Sequence, residues 1–104
     1  MKTVYADCNK QRLKQAVVDA MRDEFAIHKI MIFGSFLTSD TPGDIDVAVF
    51  GNFPQGYLET ALRLRKKVRH LAAILPIDIV PVQEGAPCSR FMEAFEQGEV
   101  IYER

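Results

Sequence analysis

Ile30-Met31-Ile32-Phe33-Gly34-Ser35 is followed, after the eight residues 36–43, by Asp44-Ile45-Asp46-Val47-Ala48-Val49-Phe50. The first run is a short apolar stretch that ends on a Gly-Ser pair, so Ile30 to Phe33 reads as a buried strand. The second is rich in β-branched residues and alternates in part, which predicts another strand over Asp44 to Phe50. The residues between them (FLTSDTPG) are turn formers and read as a loop, with room for a helical turn at its start. A loop that short cannot carry a crossover, so the two strands are expected to be antiparallel. That pairing sets Gly34-Ser35, at the end of one strand, beside Asp44 and Asp46, at the start of the other.

Downstream, Gly51 to Gly56 breaks the strand, and Tyr57 to Leu75 predicts one long helix that Pro76 stops. Its apolar face is read as Leu58, Ala61, Leu62, Leu64, Val68, Leu71, Ala72 and Leu75. Ile77 to Val82 then predicts a third strand. A strand, helix and strand in this order form a right-handed crossover with the two strands parallel. Asp78, near the start of the third strand, is thereby carried to the same sheet end as Asp44 and Asp46. Upstream, Asn9 to Phe25 reads as an amphipathic helix, with Leu13, Ala16, Val17, Ala20 and Met21 at helical spacing and Phe25 continuing the stripe. Toward the C-terminus, Gly85-Ala86-Pro87 reads as a turn and Ser89 as the cap of a short helix carrying Phe91, Met92 and Phe95. Gly98 ends that helix, and Val100-Ile101-Tyr102 is an apolar tail expected to pack back. The fold class is α+β, a small mixed β-sheet packed by helices, in one domain spanning 1–104.

The bulk numbers fit this. The 104 residues are 48% hydrophobic and 26% charged, as in ordinary globular domains. A formal net charge of −1 lacks the basic footprint of a dedicated nucleic-acid binder. No apolar run is long enough to span a bilayer. The first residues, Met1 to Asp7, lack the apolar stretch of a signal peptide. Cys8 and Cys88 have no metal-type spacing. A cytoplasmic location with free thiols is expected.

Asp44 and Asp46 are two apart on a strand, so their side chains share a face, while Ile45 and Val47 turn into the core. Neighbouring carboxylates repel unless a cation lies between them. Magnesium takes oxygen ligands, commonly one or two carboxylates together with substrate phosphates and water. A third carboxylate, Asp78, allows a second metal or a base for an attacking hydroxyl. The Gly34-Ser35 turn can offer backbone N–H groups to a phosphate, because glycine has no Cβ to block close approach. Each feature also has a plainer reading: a solvated strand edge for the carboxylates, an ordinary turn for Gly34-Ser35. Their common register is what favours chemistry.

Phe33-Gly34-Ser35, the eight-residue loop and Asp44-Ile45-Asp46-Val47 together resemble the signature of the DNA polymerase beta-like nucleotidyltransferase superfamily. Ile77-Asp78-Ile79-Val80 resembles its third-carboxylate strand. In size, and in the ending Gly98-Glu99-Val100-Ile101-Tyr102-Glu103, the chain is most similar to the minimal nucleotidyltransferase (MNT) group. The resemblance implies that Gly34 and Ser35 hold a nucleoside triphosphate. It implies that Asp44 and Asp46 bind Mg²⁺ or Mn²⁺, and that Asp78 completes the metal site and helps activate the acceptor. The implied reaction is attack of a hydroxyl on the α-phosphate of ATP or another nucleoside triphosphate. The implied role is an antitoxin that modifies and binds a helical HEPN-like partner. The rivals are a small-molecule or RNA nucleotidyltransferase subunit and a degenerate module that acts by binding alone.

In many such proteins a basic residue follows the Gly-Ser pair, whereas here Phe36 does. Residues 36–43 contain no Lys or Arg, and Asp40 adds a negative charge. Positive charge for the triphosphate is therefore expected from Arg63, Lys66, Lys67 or Arg69, or from a partner. The run Arg63 to His70 reads foremost as a solvated helix face rather than an RNA or phosphate site. His28 and His70 receive no role. A long helix and aromatics such as Phe36 and Phe53, taken as exposed, predict association, as a homodimer or with a partner.

Overall fold

The computed structural model describes residues 6–85 and 96–104. The elements in chain order are α1 (Asp7–Met21), β1 (Ile27–Phe33), α2 (Ser35–Thr38), β2 (Ile45–Gly51), α3 (Tyr57–Lys67), α4 (Arg69–Ala72), β3 (Ile77–Gln83) and β4 (Glu99–Glu103). The sheet order is β3-β2-β1-β4. β1 and β2 are antiparallel, β2 and β3 are parallel, and β4 adds to the free edge of β1 in antiparallel sense. The sheet is mixed, as the loop lengths required. The apolar tail Val100-Ile101-Tyr102 is the heart of β4, and it packs back as an edge strand. The short helix expected around Phe91, Met92 and Phe95, its Ser89 cap, Ala86-Pro87 and Cys88 lie outside the described residues.

The helices cover one sheet face. Leu13, Val17 and Met21 of α1 share one buried cluster with Ile30 and Ile32 of β1, Ile45, Val47 and Val49 of β2, and Ile77 and Ile79 of β3. The spacing 13, 17, 21 is one helical stripe, and every second residue of each strand meets it. On the other face Met31, Phe33, Ala48 and Val82 form a smaller buried cluster. β2 is buried on both faces, which explains its near-continuous apolar run. Pro81 lies in β3, an edge strand, where a residue without an N–H is tolerated.

The long predicted helix is broken. Val68 leaves helical geometry at φ −106°, ψ 9°, which separates α3 from α4. Its apolar face is also narrower than the sequence suggested. Ala61, Leu64, Val68, Leu71 and Leu75 are buried, whereas Leu58 and Leu62 are 66% and 48% exposed and Ala72 faces solvent. The buried set recurs every three or four residues along one stripe, and the other three lie on flanks that the sheet does not reach. Phe25 does not continue the stripe of α1. The helix stops at Met21, two turns follow (Glu24 N–H to the Met21 carbonyl at 3.1 Å, Ile27 N–H to the Glu24 carbonyl at 3.1 Å), and Phe25 is 87% exposed. Phe36 and Phe53 are buried rather than exposed, because the helical turn after Gly34 folds Phe36 into the main core.

Candidate active site

The antiparallel register opposes Phe33 to Asp46, and the parallel register opposes Asp46 to Asp78. Three chain segments therefore bring their functional residues to one sheet end. Asp44 immediately precedes β2, and the Ile45 N–H donates to the Pro76 carbonyl at 2.8 Å, which locks the starts of β2 and β3 together. One carboxylate oxygen from each of Asp44, Asp46 and Asp78 lies within 4.8 Å of the other two. Asp44 and Asp46 are half-buried and Asp78 is exposed. Ile45 and Val47 point into the core, as the alternation required.

Gly34 links β1 to α2 at φ +83°, a conformation that L side chains rarely adopt. A Cβ there would stand 2.5 Å from Oδ2 of Asp46. The turn thus approaches the carboxylates closely because residue 34 has no side chain. Ser35 opens α2, whose single turn is held by the Ser39 N–H donating to the Ser35 carbonyl at 2.8 Å. Behind it, the Thr41 N–H donates to Ser39 Oγ at 3.0 Å, so the loop is organised by its own small polar residues.

The charge balance of the cluster is one-sided. Among the described residues, no Lys, Arg or His forms an ion pair with Asp44, Asp46 or Asp78. Burial pushes the Asp46 carboxyl above its ordinary pKa, and the charges of Asp44 and then Asp78 push it the same way. Carboxylates gathered without a counter-charge, with their oxygens this close, fit a hard divalent cation.

Of the cations expected to serve a triphosphate, Arg63 and Lys67 are engaged elsewhere. Arg63 pairs with Glu24 at 2.7 Å, and Lys67 with Asp23 at 3.2 Å. Those acids lie just before β1, and Ile27 of β1 opposes Gly51, the far end of β2 from the carboxylates. Lys66 and Arg69 line a surface groove with Leu62, Val68 and Ile77. Sequence reading gave Lys10 no role, yet its Nζ donates to the Ser39 carbonyl at 2.5 Å and stands 5.4 Å from the centre of the Phe36 ring. The signal was topological. α1 runs back along β1, which puts the start of the helix at the Gly-Ser end of the strand.

The family model described as "Polymerase beta, Nucleotidyltransferase" matches residues 15–104. The chain belongs to the polymerase beta nucleotidyltransferase family. Solved structures carry the same fold as this nucleotidyltransferase. One is the tri-AMPylated Shewanella oneidensis HEPN toxin in complex with MNT antitoxin, at TM-score 0.62 and 21% identity over 91% of this chain and 73% of that one. A second is a toxin-antitoxin with AMP-PNP, at TM-score 0.68 and 20% identity over 88% and 73%. A third is the toxin-antitoxin MntA-HepT, at TM-score 0.59 and 20% identity over 90% and 73%. At these identities the likeness is one of fold, and it is the fold expected from the MNT resemblance. No curated protein matches the chain.

Proposed function

We propose that this nucleotidyltransferase moves AMP from ATP to a hydroxyl, with Mg²⁺ or Mn²⁺ held by Asp44, Asp46 and Asp78. The observation that carries the reading is the convergence of these carboxylate oxygens within 4.8 Å, beside a glycine whose missing side chain leaves the approach open. Gly34 and Ser35 are assigned the triphosphate. A divalent ion bound there supplies positive charge to the phosphates and to the acceptor oxygen. Asp78, the most exposed of the three, faces the side from which an acceptor enters and takes the proton of its hydroxyl. The acceptor oxygen forms its bond to the α-phosphorus, the bond to the bridging oxygen breaks, and pyrophosphate leaves.

The acceptor we assign is a hydroxyl on a helical HEPN-like protein, to which the chain also binds as an antitoxin. The support is the company the fold keeps: one structure of the same fold is a tri-AMPylated HEPN toxin in complex with MNT antitoxin, and another is a toxin-antitoxin with AMP-PNP. No helix among the described residues is long and apolar enough to cross a membrane. We place the chain, acting as one domain, in the cytoplasm. The test is transfer of label from [α-³²P]ATP to a co-expressed HEPN-like partner. We expect label on the partner with the wild type and none with Asp44→Asn, Asp46→Asn. Partner neutralised without label would reduce the chain to a binding module. Label on RNA or a small molecule instead would move it to another branch of the family.

A further inference from the structure

Position 36, directly after the Gly-Ser pair, holds a phenylalanine, and the loop behind it holds no cation. The fold brings one in from α1. Lys10 is partly buried, its ammonium lies over the face of the Phe36 ring, and it hydrogen-bonds the last turn of the segment that begins at Gly34-Ser35. It therefore sets a positive charge against the helical turn that follows the Gly-Ser pair.

The partners of Lys10 leave that charge uncompensated. A carbonyl oxygen and a ring face are neutral, whereas Lys14, Arg22, Arg63 and Lys67 are each paired with a carboxylate. Among the described residues, no carboxylate pairs with Lys10. A partly desolvated ammonium with only neutral partners gains most from an anion arriving nearby. Its flexible four-carbon stem lets the head turn from the Ser39 carbonyl toward such an anion without moving α1.

We propose that Lys10 is a triphosphate-binding residue, the cation that serves the β- and γ-phosphates of a nucleotide seated on Gly34-Ser35. The inference rests on the reading of that turn as the triphosphate site. It assigns to the first helix a task that the loop's own sequence cannot perform. The role is specific to the outer phosphates, and that separates it from a purely structural clamp on α2.

The experiment is calorimetric titration of the full chain with the magnesium complexes of ATP, ADP and AMP, comparing wild type, Lys10→Met and Lys10→Arg. Methionine keeps the apolar stem and removes the charge, and arginine restores a cation. We expect Lys10→Met to weaken ATP by about tenfold or more, ADP less, and AMP hardly at all. Lys10→Arg should recover most of the loss. Equal weakening of all three nucleotides by Lys10→Met would show a structural clamp and overturn the proposal, as would unchanged ATP affinity. A wild-type chain that binds none of the three would remove the nucleotide site itself, and the role of Lys10 with it. That outcome is distinct from one in which wild type and Lys10→Met bind ATP alike.

Discussion

Asp46 is half-buried and flanked by two other carboxylates, and both circumstances disfavour its charged form. Its folded pKa lies above the unfolded value, so the folded chain holds this proton more tightly than the unfolded chain. The stability that goes with the proton is complete at the acid side of the ordinary carboxylate range. It is lost as pH rises from that range through the raised pKa. We expect urea midpoints measured in EDTA over that window to fall more for the wild type than for Asp46→Asn, so that the difference between the two proteins carries the Asp46 contribution. Magnesium at neutral pH should restore the wild type by binding the folded state and leave the variant unmoved. Identical pH profiles for the two proteins would refute the electrostatic account. Gly34 makes a second residue-scale case. Alanine there meets φ +83° with ψ −159°, a region open essentially to glycine alone and costing about 1–3 kcal/mol, and its Cβ would press on Asp46 Oδ2. Gly34→Ala should therefore lower both the melting temperature and the affinity for Mn²⁺. Undiminished Mn²⁺ binding would mean that the turn does not support the carboxylates.

Among the elements, α3 separates burial from mere apolarity. Leu64 is fully buried and Leu62, two residues away, is 48% exposed. Leu64→Ala should cost about 2–5 kcal/mol by denaturant unfolding, and Leu62→Ala should stay within about 0.5 kcal/mol. Equal costs would mean that α3 is rotated from the orientation described. The same helix shows where sequence reading reaches its end. The directions of β1, β2 and β3 followed from loop lengths, and with them the meeting of Gly34-Ser35, Asp44, Asp46 and Asp78, because period-two strands and a crossover leave few arrangements; that the tail becomes a fourth strand on the edge of β1 did not. The break at Val68 was not legible, since neither Gly nor Pro marks it. The true width of the buried stripe depends on how far the sheet extends beneath the helix, which no local pattern records. Phe25 looked like core for the same reason: it keeps the helical period, but the helix has ended. Lys10 escaped notice because its partner, Ser39, lies 29 residues away and the contact exists only once α1 lies along β1.

For the molecule as a whole, the carboxylates face solvent on one side and leave the acceptor to come from outside. Phe25, Tyr57, Leu58, Leu62, Ile74 and Val100 are large apolar residues left exposed, and they replace Phe36 and Phe53 as the residues from which association with a partner or a second copy is expected. The chain carries a net charge of −1, and a triphosphate with one magnesium remains anionic. One ammonium from Lys10 offsets part of that charge, so further positive charge from a partner should strengthen the transition state more than the resting complex. We expect the lone chain to turn over slowly and the partner-bound chain to turn over faster. Asp78→Asn divides the roles within that complex. Asp44 and Asp46, the other two proposed ligands, would remain to hold magnesium, so nucleotide affinity should change little. The acceptor hydroxyl loses the group proposed to take its proton, which for general-base loss is about 10²–10⁴-fold in rate. Single-turnover transfer from labelled ATP, with nucleotide affinity measured on the same samples, separates the two quantities. A loss confined to affinity would make Asp78 a metal ligand only. Undiminished transfer would leave Asp44 and Asp46 as the working pair and return Asp78 to a solvated strand edge.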